Sequence, residues 1–157
     1  KEEAFFTPGL FMQFQIYPLS RDDFAEVTAI WEDSVRATHY FLLEADIQFY
    51  KPLIINEYLP TLMLFGVRHD SGGLAGFVGV VDRKIEMLFV RPEDFGKGIG
   101  QALCRFAIQA LQASEVDVNE HNAYALKFYV KLGFQLSGRS ALDPSGKPFP
   151  VLHLKLS

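Results

Sequence analysis

Apolar and polar positions change their period several times along this chain, and each change marks the edge of an element. In MQFQIYPL, residues 12–19, the two kinds of side chain alternate with a period of two, which predicts an entering strand. Ser20 and Asp23 then stand at the spacing of a capping box, and Phe24, Val27, Ile30, Trp31 and Val35 fall on one face of the helix that follows. A second helical stretch runs from about Glu44 to Tyr58, carrying Ile47, Tyr50, Leu53, Ile54 and Tyr58, and ATHYFL joins the two helices. LMLFGVRHDSGGLAGFVGVVD is a pair of β-rich runs about Asp70-Ser71-Gly72-Gly73, a hairpin signal. A third run, KIEMLFV, ends at Arg91-Pro92, because proline cannot donate to a strand ladder. These runs predict one antiparallel sheet.

FVRPEDFGKGIGQAL, residues 89–103, breaks the pattern with three glycines at alternate positions. Beyond them Ile99, Leu103, Phe106, Ala107, Ala110 and Leu111 share a helical face, and Gln101, Arg105, Gln109 and Gln112 occupy the opposite one. A glycine loop thus feeds a helix start, where unpaired N–H groups and the positive end of the helix dipole attract phosphate. A tight strand-to-helix turn without a ligand has the same composition. Gln101 stands where G-x-G-x-x-G needs its third glycine, and no G-K-[ST] triplet occurs, so dinucleotide-fold and Walker-type loops are excluded.

Composition narrows the class. The chain has 157 residues, 49% hydrophobic and 22% charged, enough for one domain over 12–157 and too short for two ordinary ones. No run is long and apolar enough for a membrane span, and the lone Cys104 cannot form an intrachain disulfide, which predicts a cytoplasmic protein. A net charge of -4 disfavours nucleic acid and favours cationic or neutral partners. KEEAFFTPGLF lacks the basic flank of a signal peptide; Met12 is a candidate natural start, with 1–11 an added or disordered extension. His39, His69, His121 and His153 are too scattered for a metal site.

The G-x-G-x-G loop, together with NAYALKFYVKLGF at residues 122–134, resembles the GCN5-related N-acetyltransferase (GNAT) superfamily. That family's later motif reads roughly N-x-x-A-x-x-F-Y-x-K-x-G-F, and Asn122, Ala125, Phe128, Tyr129, Lys131, Gly133 and Phe134 match it throughout. The likeness runs from about Met12 to the C-terminus; SVRATHYFL, VNEHN and GFQLSGRSALDPSGKPFPVLHL look like a YjaB-type subgroup of small bacterial acetyltransferases. One departure is Phe95, where the signature Q/R-x-x-G-x-G/A expects Gln or Arg.

The resemblance implies an α+β fold (an α/β sandwich). Its central, mostly antiparallel mixed sheet would have about six or seven strands flanked by about four helices, splayed between the fourth strand, KIEMLFV, and the fifth, EVDVN. It implies acetyl-CoA as donor and coenzyme A as product. Leu88, Phe89 and Val90 would pair with pantetheine, and the amides of Phe95, Gly96, Lys97, Gly98, Ile99, Gly100 and Gln101 would hold the pyrophosphate, with Lys97 supplying the charge that Phe95 lacks. Asn119, Asn122, Ala125, Phe128 and Tyr129 complete the implied cofactor contacts.

By the same resemblance Tyr129 is the general acid, although Ala125, Phe128, Tyr129 and Leu132 also form the apolar face of an ordinary helix. Glu86, a carboxylate in an apolar strand, is the candidate base; simple alternation instead makes it a solvated residue with Ile85 and Met87 on the opposite face. His39 and Phe41, between the first two helices, are candidate acceptor contacts, and His39 and His121 compete for the base role. Cys104 lies inside a helix among apolar residues and reads as packing, consistent with direct transfer in a ternary complex. THYFLL and QFYKPLIINEY put several aromatics where the acceptor site should be, and the turn at Asp143-Pro144-Ser145-Gly146 either borders that pocket or simply closes the sheet. The acceptor is a small-molecule amine or a peptide, and the protein a monomer or homodimer. A catalytically weak sensor of acetyl-CoA is the alternative class; a nucleotide hydrolase is disfavoured by the missing phosphate-loop spacings.

Overall fold

The structure is a computed structural model and describes residues 9–11 and 13–156. Its strands are β1 (Gly9–Phe11), β2 (Phe14–Pro18), β3 (Met63–Arg68), β4 (Leu74–Val81), β5 (Lys84–Val90), β6 (Glu115–Asn119), β7 (Phe134–Ser140) and β8 (Val151–Leu156). The helices are α1 (Phe24–Thr38), α2 (Glu44–Leu53), α3 (Ile99–Ala110) and α4 (Ala123–Lys131). All strands join one sheet in the order β1-β2-β3-β4-β5-β6-β8-β7. Every neighbouring pair is antiparallel except β5 and β6. This is the expected mixed sheet with four helices, extended at one edge by the three residues of β1. The expected extension over 1–11 otherwise lies outside the described residues, as does Met12.

Each face of the sheet is covered by one pair of helices. The apolar stripe read along α1 buries Val27, Ile30, Trp31 and Val35 with Ile47 of α2 against Leu64, Leu74, Phe77 and Met87. On the opposite face Ile99, Leu103, Cys104 and Phe106 of α3 and Tyr129 of α4 pack on Val78, Ile85, Val116 and Leu154. Each fully buried large side chain among these stabilises the fold by about 1.5–3 kcal/mol. The capping spacing holds at the start of the first helical segment, where the Asp23 carboxylate accepts from the Ser20 N–H at 2.9 Å. The second predicted helix does not run regularly to Tyr58: Pro52 removes one N–H from the ladder, and the chain continues as a wide π turn over Ile54–Tyr58.

The strand that carries Glu86 departs from simple alternation. β4 pairs Gly79 with Met87 and Val80 with Ile85, which leaves Glu86 as an extra residue in a β-bulge. Ile85 therefore enters the α3 side of the core and Met87 the α1 side, so the expectation that both lie on one face opposite Glu86 is corrected. The parallel ladder to β6 consists of Lys84↔Glu115 and Ile85↔Val116 and stops at the same place. From Glu86 onward β5 stays paired with β4 but, among the described residues, has no strand on its other edge, and this is the splay.

Candidate functional site

The glycine loop forms the first part of the site. Gly96 has φ 80° and Gly98, which caps α3, has φ 89°, so both need a left-handed backbone that side chains disfavour. Gly100 differs. It lies inside the first turn of α3, and an added Cβ would meet Phe128 at 3.7 Å, an ordinary contact; the fold gives no reason for glycine there. The N–H groups of Ile99, Gly100 and Gln101 precede the first helical bond, Ala102 N to Gly98 O at 3.0 Å, and among the described residues they find no other acceptor. Bare N–H groups, a missing side chain and the helix dipole together fit a diphosphate.

Two members of the expected anion cradle are otherwise engaged. The Phe95 N–H donates to Pro92 O at 3.2 Å, and the Phe95 ring is 44% exposed. Lys97 Nζ lies 2.8 Å from Asp94, whose carboxylate is 3% exposed and also meets His69 Nε2 at 2.8 Å. Burial acts to raise the Asp94 pKa, but the bonds to Lys97 and His69 outweigh it and hold the pKa below the ordinary value. The loop is thus braced from beneath by a buried carboxylate that the sequence reading did not single out.

The splay opens into a cleft of about 200 Å³ between β5 and β6, lined by Glu86, Leu88, Phe89, Val118, Asn119, Asn122, Ala125 and Tyr129. The Tyr129 ring lies edge-on to Phe128 and Phe134, with centroids 5.0 and 5.4 Å away. Its hydroxyl has no hydrogen-bond partner among the described residues. Burial, reinforced by the neighbouring Cys104, raises the Tyr129 pKa well above its ordinary value, so the hydroxyl keeps its proton. Cys104 is buried beside it, with its thiol pKa pushed up to about 12 by desolvation, which agrees with a packing role.

Asn122 joins the two sides of the cleft. Its Oδ1 accepts from the Ala125 N–H at 3.0 Å and caps α4, so its Nδ2 is the donor facing His39 Nε2 at 3.3 Å. The other ring nitrogen of His39 lies 2.7 Å from Thr38 Oγ1, whose own proton goes to Ser34 O at 2.8 Å. That chain of donors places the imidazole proton on Nδ1, and burial lowers the His39 pKa to about 4. His39 is therefore a neutral bridge between the end of α1 and the start of α4. His121 stands nearby, its N–H donating to Asn119 Oδ1 at 2.9 Å.

A second cavity of about 240 Å³ opens on the α1 side and shares His39, Glu86, Met87, Phe89 and Asn119 with the cleft. Trp31, Phe41, Tyr50, Tyr58 and Phe149 give it aromatic walls. The bulge sets Glu86 where the two spaces meet. Its side chain keeps access to solvent through the opening, yet desolvation by the walls raises its pKa; Asp117 adds to the rise and Lys84 opposes it. The second carboxylate in this cavity is Asp143, which accepts from the Tyr50 hydroxyl and, through its other oxygen, from Ser145 N at 3.0 Å and Lys147 N at 2.8 Å. Farther along the sheet, Asp117 bonds Lys84 and His153 at 2.7 Å each, and His153 reaches Ser140 at 2.7 Å, tying β6, β8 and β7 together.

The structure thus brings Glu86, Leu88, Phe89, Asn119, Asn122, Ala125, Tyr129 and His39 around one cleft, with Phe41 in the adjoining cavity. Val90 and Phe128 instead border Gly100, linking the cleft to the glycine loop. The aromatics of residues 48–58 stand where the sequence reading put the acceptor site, with Tyr50 and Tyr58 in the cavity wall, and of the two readings of the tail the one that borders the pocket holds for Asp143 and Phe149. Sequence reasoning missed Trp31, which sat within a helical stripe that read as core. Among the described residues, no group of three or more His, Cys, Asp or Glu is placed to hold a metal ion, and no helix is long and apolar enough to cross a membrane.

A splayed mixed sheet whose fourth core strand leads through a glycine loop into a helix defines an acyl-CoA-binding transferase fold, and comparison with known proteins agrees. The family described as an acetyltransferase (GNAT) domain matches residues 62–136, and the chain belongs to the GCN5-related N-acetyltransferase superfamily. It is an acyl-CoA N-acyltransferase with acetyl-CoA as the acetyl donor. It is 34% identical to the peptidyl-lysine N-acetyltransferase YjaB of Salmonella typhimurium, over 91% of this chain and 98% of that protein. The solution structure of the apo form of YjaB from Escherichia coli superposes with a TM-score of 0.79 at 33% identity, covering 89% of this chain and 95% of that one. The fold alone is shared with the PaiA N-acetyltransferase of Thermoplasma acidophilum, solved in complex with coenzyme A: TM-score 0.68, 23% identity, 93% and 100% of the two chains.

Proposed function

We propose that this enzyme transfers the acetyl group directly to the ε-amino group of a lysine in a polypeptide, with Tyr129 as general acid and Glu86 as general base. The observation that carries the reading is the meeting of two cavities at the Glu86 bulge, one reaching back to Tyr129 and the other walled by aromatic rings. Bound acetyl-CoA supplies an activated acetyl thioester. The amides of Ile99, Gly100 and Gln101 hold its diphosphate, the open edge of β5 at Leu88–Val90 receives its arm, and Asn119, Asn122, Ala125 and Phe128 flank it.

The chain's own groups then divide the proton work. A lysine arrives protonated; Glu86 and Asp143 favour the cation, and the aromatic walls favour its alkyl stem. The raised pKa of Glu86 makes its carboxylate a better acceptor for the amine proton than an exposed glutamate would be. The Tyr129 hydroxyl, with its proton kept by burial and no partner among the described residues, is a ready donor at the other end. His39 is poorly suited to the base role, because its Nε2 faces an amide donor and its pKa lies near 4. The lysine assignment is supported by the names of the relatives at 34% and 35% identity, both peptidyl-lysine N-acetyltransferases.

The test is thiol release from acetyl-CoA against a panel of lysine peptides, the same peptides with the lysine blocked, and small amines. Release that depends on the free lysine is expected. Release with small amines alone would overturn the peptide assignment, and none with any acceptor would overturn the transfer chemistry.

A further inference from the structure

We propose that two loops at the mouth of the larger cavity form a docking surface for the acceptor polypeptide, one that selects lysines flanked by large apolar side chains. The proposal rests on the lysine reading above and extends it to the residues around the target. The first loop joins α1 to α2. There His39, Phe41 and Leu42 line the cavity, while Tyr40 and Leu43 stand 87% and 69% exposed. The second loop joins β7 to β8. Asp143 and Phe149 line the cavity, and Leu142, the neighbour of Asp143, is 52% exposed. The loops touch through Phe41 and Phe149, whose ring centroids are 5.9 Å apart.

The surface is preformed. The second loop is pinned to α2 by the Tyr50–Asp143 bond and by Lys147 Nζ, 4.5 Å from the centre of the Phe49 ring. A single exposed apolar residue is ordinary, but three large ones set on two fixed loops around one cavity make the pattern of an interface core. The occupant follows from continuity with the lysine site. A lysine whose ammonium group reaches Glu86 and Asp143 leaves its main chain and neighbouring side chains at the mouth, against Tyr40, Leu43 and Leu142. A net charge of -4 disfavours acidic neighbours, and the exposed large side chains beside the cavity, Tyr40, Leu43 and Leu142, gain contact area from apolar neighbours rather than charged ones.

Two fluorescent peptides with one lysine each, flanked by Leu and Phe or by Glu, separate the alternatives when their binding is followed by anisotropy in the presence of coenzyme A. Acetylation is measured in parallel, with Nα-acetyl-lysine amide as an acceptor that has no flanks. The apolar peptide should bind better. Combining Tyr40→Ser, Leu43→Ser and Leu142→Ser should raise its Kd and KM about tenfold, leaving its kcat and the turnover of the small amide unchanged. Equal binding of the two peptides, or a triple variant that binds the apolar peptide as tightly as the parent, overturns the proposal. Peptide discrimination without any thiol release would uphold the docking surface and remove the lysine-acetylation reading instead.

Discussion

In the proposed site the donor side of Glu86 is made of main chain: the N–H groups of Ile99, Gly100 and Gln101, and the edge of β5 beyond Ile85, which is free among the described residues. On the acceptor side it is made of side chains drawn from α1, α2, β5 and two loops, with Trp31, Phe41, Tyr50, Tyr58, Asp143 and Phe149 converging from distant stretches of sequence. A backbone surface fits any ligand with the same phosphate and amide groups, whereas a side-chain surface can be rebuilt one residue at a time. The contrast separates what this enzyme shares with its superfamily from what sets its own acceptor.

Five substitutions probe that division. The largest effect belongs to Tyr129→Phe: kcat should fall by about 10²–10⁴, the usual contribution of a placed acid, while calorimetry shows coenzyme A affinity unchanged. A loss of only a few-fold would make Tyr129 a packing residue. Glu86→Gln should lower kcat/KM by roughly 10–100-fold and reshape its pH profile. The carboxylate is the active form, so parent activity drops as pH falls through a pKa raised above the ordinary 4.5, and the variant should lack that limb. If both enzymes lose activity at the same pH, another group is the base.

The glycines sharpen the donor side. Gly98→Ala forces a side chain onto φ 89° and should lower thermal stability by about 1 kcal/mol or more. Gly100→Ala should leave the melting temperature unchanged or slightly raised, since alanine is the better helix former, yet weaken coenzyme A about tenfold. Equal coenzyme A affinity in the Gly100 variant would count against diphosphate contact at that turn. The smallest effect concerns the bridge across the cleft. His39 titrates near 4 when folded, against 6.5 ordinarily, so as pH falls the unfolded chain takes up the proton first. Its stabilising contribution is complete above pH 6.5 and is lost between 6.5 and about 4. Denaturant curves of His39→Gln should show a flatter dependence across that window, by on the order of 1 kcal/mol.

Much of the donor side was legible because backbone geometry dictates residue type. Left-handed positions at Gly96 and Gly98 need glycine, and with Gly100 they leave a fixed spacing ahead of a helix. The Asn122–Phe134 motif was readable for a related reason, since one helix carries the cap, the packing residues and Tyr129. Glu86 was half legible. Its type stood out in an apolar strand, but the bulge depends on its register with β4, which no local pattern reveals. The turn between β4 and β5 escaped too: Asp82 and Arg83 adopt φ 50° and 68° without any glycine to signal it. The acceptor wall was partly legible: the aromatics of residues 48–58 stood out by type, but Trp31 sat at core-like spacing, and only the docking of residues 141–150 onto Tyr50 decides between a tail that borders the pocket and one that merely closes the sheet.

The two residue pairs that join β5 to β6 carry a mechanical consequence. They are a narrow seam between a larger N-terminal lobe and a β6–β8 lobe that also meet in the core beneath α3 and α4 and through the His39–Asn122, Tyr50–Asp143 and Lys84–Asp117 contacts. On the proposed reading, a molecule lying along the open length of that seam would contact both lobes at once and act as a staple. Amide exchange in β6, β7 and β8, segments remote in sequence from the glycine loop, should therefore slow when coenzyme A binds.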